Sequence, residues 1–132
     1  MKMFVLDTSA LVRLYVPDGP IPEGTQEAIE SAWRADAVAL APDLVLAEIG
    51  QVLHKKTLVG ALAREEADEI MAAVAELPLE LVGHREIIAD AVAAAREHGL
   101  TVYDGLFLAL SRKQKATLIS GDKQLTRAAA KG

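Results

Sequence analysis

The chain has 132 residues, 52% of them hydrophobic and 25% charged, which is enough for one core-forming domain over residues 1–132 and too apolar for bulk disorder. The absence of cysteine excludes disulfides, thiolate metal sites and cysteine nucleophiles, and an aromatic content of only 4% argues against a platform for stacking bases. The net charge of −5 disfavours a polyanion on its sum, yet residues 1–97 carry 8 Lys+Arg against 17 Asp+Glu (−9) and residues 98–132 carry 6 against 2 (+4), an asymmetry that can orient one.

"MKMFVL" is short and rich in β-formers, so it predicts a strand ending at Asp7. "SALVRLYV" follows as a short helix that stops before Pro17, and "PDGPIPEG" reads as a loop. "TQEAIESAWRAD" sets Ala28, Ile29 and Trp33 at helical spacing with Thr25 as N-cap, so Trp33 is expected in the core or an interface. "AVALA" is a strand, and "PDLVLAEIGQVLHKKTLVG" is a long helix opened by Pro42 or Asp43 and closed near Gly60. "REEADEIMAAVAEL" is the next helix, "LELVG" a strand, and "REIIADAVAAAREHG" a helix stopped by Gly99. "LTVYD" reads as brief and extended, "GLFLALSRKQ" as a helix, "ATLISG" as a strand and "DKQLTRAAAK" as the last helix.

This alternation predicts an α/β fold: three layers, α/β/α, around a mainly parallel sheet of four to five strands. The apolar run before Asp7 is too short for a signal peptide and no stretch is long enough to span a bilayer, so a soluble cytoplasmic protein with no membrane contact is expected.

In an open parallel sheet, ligands bind outside the carboxyl ends of the strands. Asp7 and Asp122 fall there, after "MFVL" and "TLIS", and Asp104 follows "LTVY". Each could instead be an ordinary helix N-cap. Glu48 has no such use. It stands four after Leu44 and four before Val52, within the apolar stripe of Leu44, Val45, Ile49, Val52 and Leu53, where an unpaired charge costs several kcal/mol by order of magnitude. Four converging carboxylates would repel one another unless a hard divalent cation joined them, and Mg²⁺ or Mn²⁺ with oxygen ligands points to phosphodiester hydrolysis. Thr8, Ser9 and Ser120 lie beside these acids and could orient a carboxylate or a water, while Thr8 and Ser9 could equally cap the first helix. Arg13 is placed to contact substrate or a neighbouring acid. Some of Arg112, Lys113, Lys115, Lys123 and Arg127 could hold phosphates near the acids. The three histidines show no metal-ligand spacing, and His98 reads as a favourable charge at a helix C-terminus.

With these residues assembled, the chain resembles the PIN-domain ribonucleases, and more narrowly the VapC-type toxins, over nearly its full length. "FVLDTSALV", "APDLVLAEIGQVL", "VYDGLFLALS" and "TLISGDKQL" resemble, in order, the four family segments that carry the acids. The resemblance implies metal-dependent endonucleolytic cleavage of RNA with Asp7, Glu48, Asp104 and Asp122 as the acidic, metal-holding site. It also implies a homodimer and inhibition by a cognate antitoxin. Two positions depart from the pattern. Gln124 stands where many relatives carry a further acid, which bears on a second metal ion and not on the site itself. Gly105 replaces the commoner small residue with a Cβ and is expected to weaken the helix start by about 1 kcal/mol or less. A phosphoacceptor domain would need adjacent acids after the first strand, and a haloacid-dehalogenase-like phosphatase would need an acid in place of Ser9. The remaining alternatives are a housekeeping RNA-processing nuclease and a catalytically silent interaction module.

Overall fold

The computed structural model describes residues 1–131. Among them four strands form one parallel sheet in the order β3-β2-β1-β4, with β1 Lys2–Leu6, β2 Ala37–Pro42, β3 Leu79–Val82 and β4 Thr117–Ile119. Seven α-helices surround it: α1 Thr8–Val12, α2 Thr25–Trp33, α3 Leu44–Leu58, α4 Arg64–Ala75, α5 Ile88–His98, α6 Val102–Gln114 and α7 Lys123–Ala130. The alternating order, the α/β class and the parallel sheet follow the sequence pattern, and the strand count is four.

Apolar strands suit a sheet covered on both faces. Val5, Leu6, Ala39, Leu40 and Ala41 are all buried. The connections β1-α1-α2-β2 and β2-α3-α4-β3 step one way across the sheet, and β3-α5-α6-β4 steps back past β1. Right-handed crossovers therefore put α1–α4 on one face and α5 and α6 on the other. Helix α6 is the centre of its layer: Gly105 through Ser111 are all buried, between the strands and helices α5 and α7.

Several local expectations are corrected. "LTVYD" is not an extended segment. Thr101 accepts the Asp104 N–H on its side chain at 3.1 Å, and this cap starts α6 at Val102, so Asp104 lies inside the first turn. The first helix ends at Val12, with turns at 13–15 in place of its last residues. Of the two residues expected to open α3, Pro42 closes β2 and Asp43 takes the cap position. Thr25 is buried and donates to the Pro22 carbonyl, while Gly24, in the left-handed region at φ 90°, takes the cap position. Trp33 is 61% exposed, which overturns the core half of its expectation and not the interface half.

Gly105 has a different meaning from the one its helix propensity suggests. A Cβ there would overlap the backbone carbonyl oxygen of Ala91, so the glycine permits the close approach of α5 and α6.

Candidate active site

The register of the sheet brings the ends of β1 and β4 side by side, with Leu6 opposite Ile119. One residue further on, the Asp7 N–H still donates to the Ile119 carbonyl at 3.2 Å, so the ladder itself fixes where Asp7 leaves the sheet. Asp7 is 6% exposed and caps α1, accepting the Ala10 N–H at 3.0 Å.

Two hydroxyls fasten its carboxylate to the β4 end. Ser9 donates to Asp7 Oδ1 at 2.7 Å and accepts the Gly121 N–H at 2.8 Å. Ser120 donates to Asp7 Oδ2 and accepts the Asp122 N–H at 2.9 Å. Neither serine caps α1. Both bridge two strand ends that are distant in sequence.

Asp122 caps α7, taking the N–H groups of Gln124 and Leu125 on Oδ1 at 2.8 and 3.1 Å. Capping thus explains the position of Asp7 and Asp122, and also aims both toward the same side of the sheet. Asp104 is held by the turn that Thr101 starts. Glu48 sits on the rim of the α3 stripe: Val45, Ile49 and Leu53 are buried, whereas Leu44, Glu48 and Val52 are half-buried. It is therefore not in the middle of that stripe, and its Oε1 accepts the Thr8 hydroxyl at 2.7 Å.

Asp7, Thr8, Ser9, Arg13, Glu48, Asp104 and Asp122 line one cleft of about 280 Å³ together with Val12, Val52, Phe107 and Asp18. Burial pushes the Asp7 carboxyl above its ordinary range, against the opposing pull of the Ser120, Ser9 and Ala10 hydrogen bonds, and the Asp122 charge adds to the rise. Burial also raises Asp104, followed by the charges of Asp122, Glu48 and Asp7, with a partial offset from Thr101. The three other acids thus lie within electrostatic reach of Asp104, and Asp122 within reach of Asp7 as well.

Among the described residues no Lys or Arg forms an ion pair with any of these four. No three of them are gathered tightly enough to enclose an ion unaided, again among the described residues. The donor set of these four acids is oxygen only and negatively charged, and Arg13, the one Lys or Arg in the cleft lining, forms an ion pair with none of them among the described residues. Such a set fits a hard divalent ion held by one or two carboxylates with water completing its shell.

Asp18 escaped the sequence reading, since nothing in a proline-rich loop marks it; in the structure Lys56 reaches over from α3 to pair with it at 2.6 Å. Thr101 was also missed, although a Thr three residues before Asp104 is an N-cap signature. The basic residues of the C-terminal quarter are not at the cleft. Arg112 turns to His98 and Glu97, Lys113 donates to the Glu86 carbonyl, and Lys123 and Arg127 do not line it. Gln124 reaches the Gly99 carbonyl at 3.1 Å, tying α7 to the end of α5. His84 accepts the Leu44 N–H at 3.1 Å and so serves the start of α3 from the end of the neighbouring strand β3.

The family model described as "PIN domain" matches residues 4–131. Ribonuclease VapC3 of Pyrobaculum aerophilum is 33% identical over 127 residues, covering 95% of this chain and 92% of that protein. The crystal structure of Mycobacterium tuberculosis VapC20, titled a sarcin-ricin loop cleaving toxin, is similar with a TM-score of 0.66 at 14% identity, covering 95% of this chain and 94% of that one. The crystal structure of VapBC2 from Rickettsia felis, bound to a DNA fragment from their promoter, has a TM-score of 0.62 at 17% identity over 95% of this chain and 92% of that one.

Proposed function

Because the chain belongs to the PIN-domain family, we propose that it is a single-domain endoribonuclease of the VapC toxin type, cutting RNA phosphodiester bonds in the cleft at the end of β1 and β4. The observation that carries this reading is the convergence of Asp7, Glu48, Asp104 and Asp122 on one cleft with no basic side chain paired to them among the described residues.

These four acids would hold Mg²⁺, or Mn²⁺ as its substitute. Bound there, the ion supplies an activated water and a positive charge against the phosphoryl oxygens. The chain's own groups do the positioning. Ser9 and Ser120 fix both oxygens of Asp7, so that this carboxylate cannot turn away when unpaired. Thr8 orients Glu48 through Oε1, and the second Glu48 oxygen meets no protein donor among the described residues. Asp104, on the rigid buried helix α6, faces the same space.

The kinship with VapC ribonucleases supports a toxin held in check by a cognate antitoxin protein, and we propose further that it works in the cytoplasm as a homodimer. No helix among the described residues is long and apolar enough to cross a membrane.

The test is cleavage of a structured RNA pool by purified, antitoxin-free protein in Mg²⁺, Mn²⁺ or EDTA. Wild type is expected to cut only with metal, and Asp7→Asn and Asp104→Asn to fold normally and lose cutting by about a hundredfold or more. Equal behaviour of wild type and the Asp104 variant would leave Asp7 and Asp122 as helix caps and remove the catalytic reading.

A further inference from the structure

Arg13 stands just past the C-terminus of α1 and lines the cleft with the four acids, yet forms an ion pair with none of them among the described residues. Its guanidinium lies between two glycines from opposite ends of the chain. A Cβ on Gly121 would overlap Nη1, and a Cβ on Gly19 would stand 2.9 Å from Cζ. Gly121 directly precedes Asp122, and its N–H is engaged by Ser9. The head group is therefore held beside the turn that carries the fourth acid.

Its hydrogen bonding is far from complete. Of five donors, one reaches the Pro20 carbonyl at 3.2 Å. Nε is buried with no partner. A guanidinium used only to pin the 17–24 loop would leave most of its donors idle, with a buried N–H unmet. A planar fork, charged at every working pH and left free beside a cluster of acids, matches an anion brought in from outside.

We propose that Arg13 is a fixed phosphate-binding residue of the cleft, which grips a backbone phosphate of the RNA beside the acids, with Gly19 and Gly121 as the two walls of its slot. The proposal rests on the nuclease reading and adds to it the cation that the C-terminal basic residues do not supply. It also assigns Gly121 a role, because any side chain there would displace the guanidinium.

Binding of a fluorescein-labelled, mixed-sequence 12-nucleotide single-stranded RNA tests it, read by anisotropy across a salt series in Mg²⁺. The parent is Asp104→Asn, which keeps the RNA intact. Adding Arg13→Gln is expected to weaken binding about tenfold and to lower the slope of log K against log salt by about 0.7, one phosphate contact on a single strand. Arg13→Lys keeps the slope. Gly121→Ala weakens binding when Arg13 is present and adds nothing when it is Gln, because both changes remove the same contact. A merely structural Arg13 would shift the melting temperature and leave the slope alone.

If the parent binds RNA and Arg13→Gln shows the same affinity and slope, the proposal is overturned while the nuclease reading stands. If the parent shows no binding at all, both fall together. Should Arg13→Gln fail to fold, Gly121→Ala decides. The three atoms nearest its added methyl all belong to the Arg13 guanidinium, which the methyl would push out of its slot, so unaltered RNA binding in that variant equally sinks the phosphate role.

Discussion

Asp7 is at once a helix cap, a buried charge and a member of the acidic cluster, and these uses do not compete. Its capping bond to Ala10 and its two serine bonds consume lone pairs in directions that hold the carboxylate in place. This retained charge has a consequence for pH. Burial and neighbouring acids raise Asp7 and Asp104 above 3.8, so the folded protein binds protons more tightly than the unfolded chain does. Stability withheld by these two groups at neutral pH is recovered as the pH falls through their raised values, and nothing more is gained below the unfolded range near 4. Denaturant midpoints in EDTA should therefore show a smaller acid-side gain for Asp104→Asn than for wild type, and an equal gain would argue against mutual repulsion. At this scale Asp7 and Asp122 were legible as acids at strand ends, whereas Asp104 follows no strand and Glu48 lies at the rim of its apolar stripe, so the patterns that pointed to these two differ from what the fold shows. The surroundings of Arg13 were not legible, since two glycines at positions 19 and 121 build its slot and no local pattern links them.

Elements were legible where hydrophobic runs or turn residues mark them. "MKMFVL" and "AVALA" needed only their apolar content, and Gly99 ends α5 in the left-handed region at φ 65° as expected. "LTVYD" was read wrongly because β-branched and aromatic residues raise strand propensity, while the Thr101 cap and the packing of α6 against α5 override it. Tertiary contact also decides the meaning of Gly105. By helix propensity alone, Gly105→Ala should stabilise by about 1 kcal/mol. The new methyl would instead meet the Ala91 backbone, which cannot rotate aside, and overpacking of this kind costs about 1–3 kcal/mol. With the two effects combined, the variant should be no more stable than wild type and up to about 2 kcal/mol less stable in urea unfolding. A rise in stability would show that α5 and α6 can separate freely.

For the molecule as a whole, the parallel sheet and the order of helices could be read from alternation, whereas the charge asymmetry misled. The basic quarter does not converge on the cleft, because α7 and the end of α6 spend several of its cations on neighbouring helices or on open surface. The acidic cleft is instead left as a site of repulsion that an added cation would relieve. Mg²⁺ or Mn²⁺ should raise the melting temperature of wild type, by a few degrees at concentrations well above Kd, and should do much less for Asp104→Asn. Equal shifts in both would mean that the ions act elsewhere. The serine bridges carry one more consequence. Ser120 meets Asp7 across 113 residues of chain, and Gly121 meets Ser9 across 112. Contacts so distant in sequence are slow to close during folding, and they hang on β4, a strand of three residues at the sheet's edge. A chain that has paired β1 with β2, and β2 with β3, would thus carry Asp7 and Glu48 without a working site. Any fluctuation that frees β4 would dismantle that site first, so cutting power belongs to the finished fold and to no intermediate on the way.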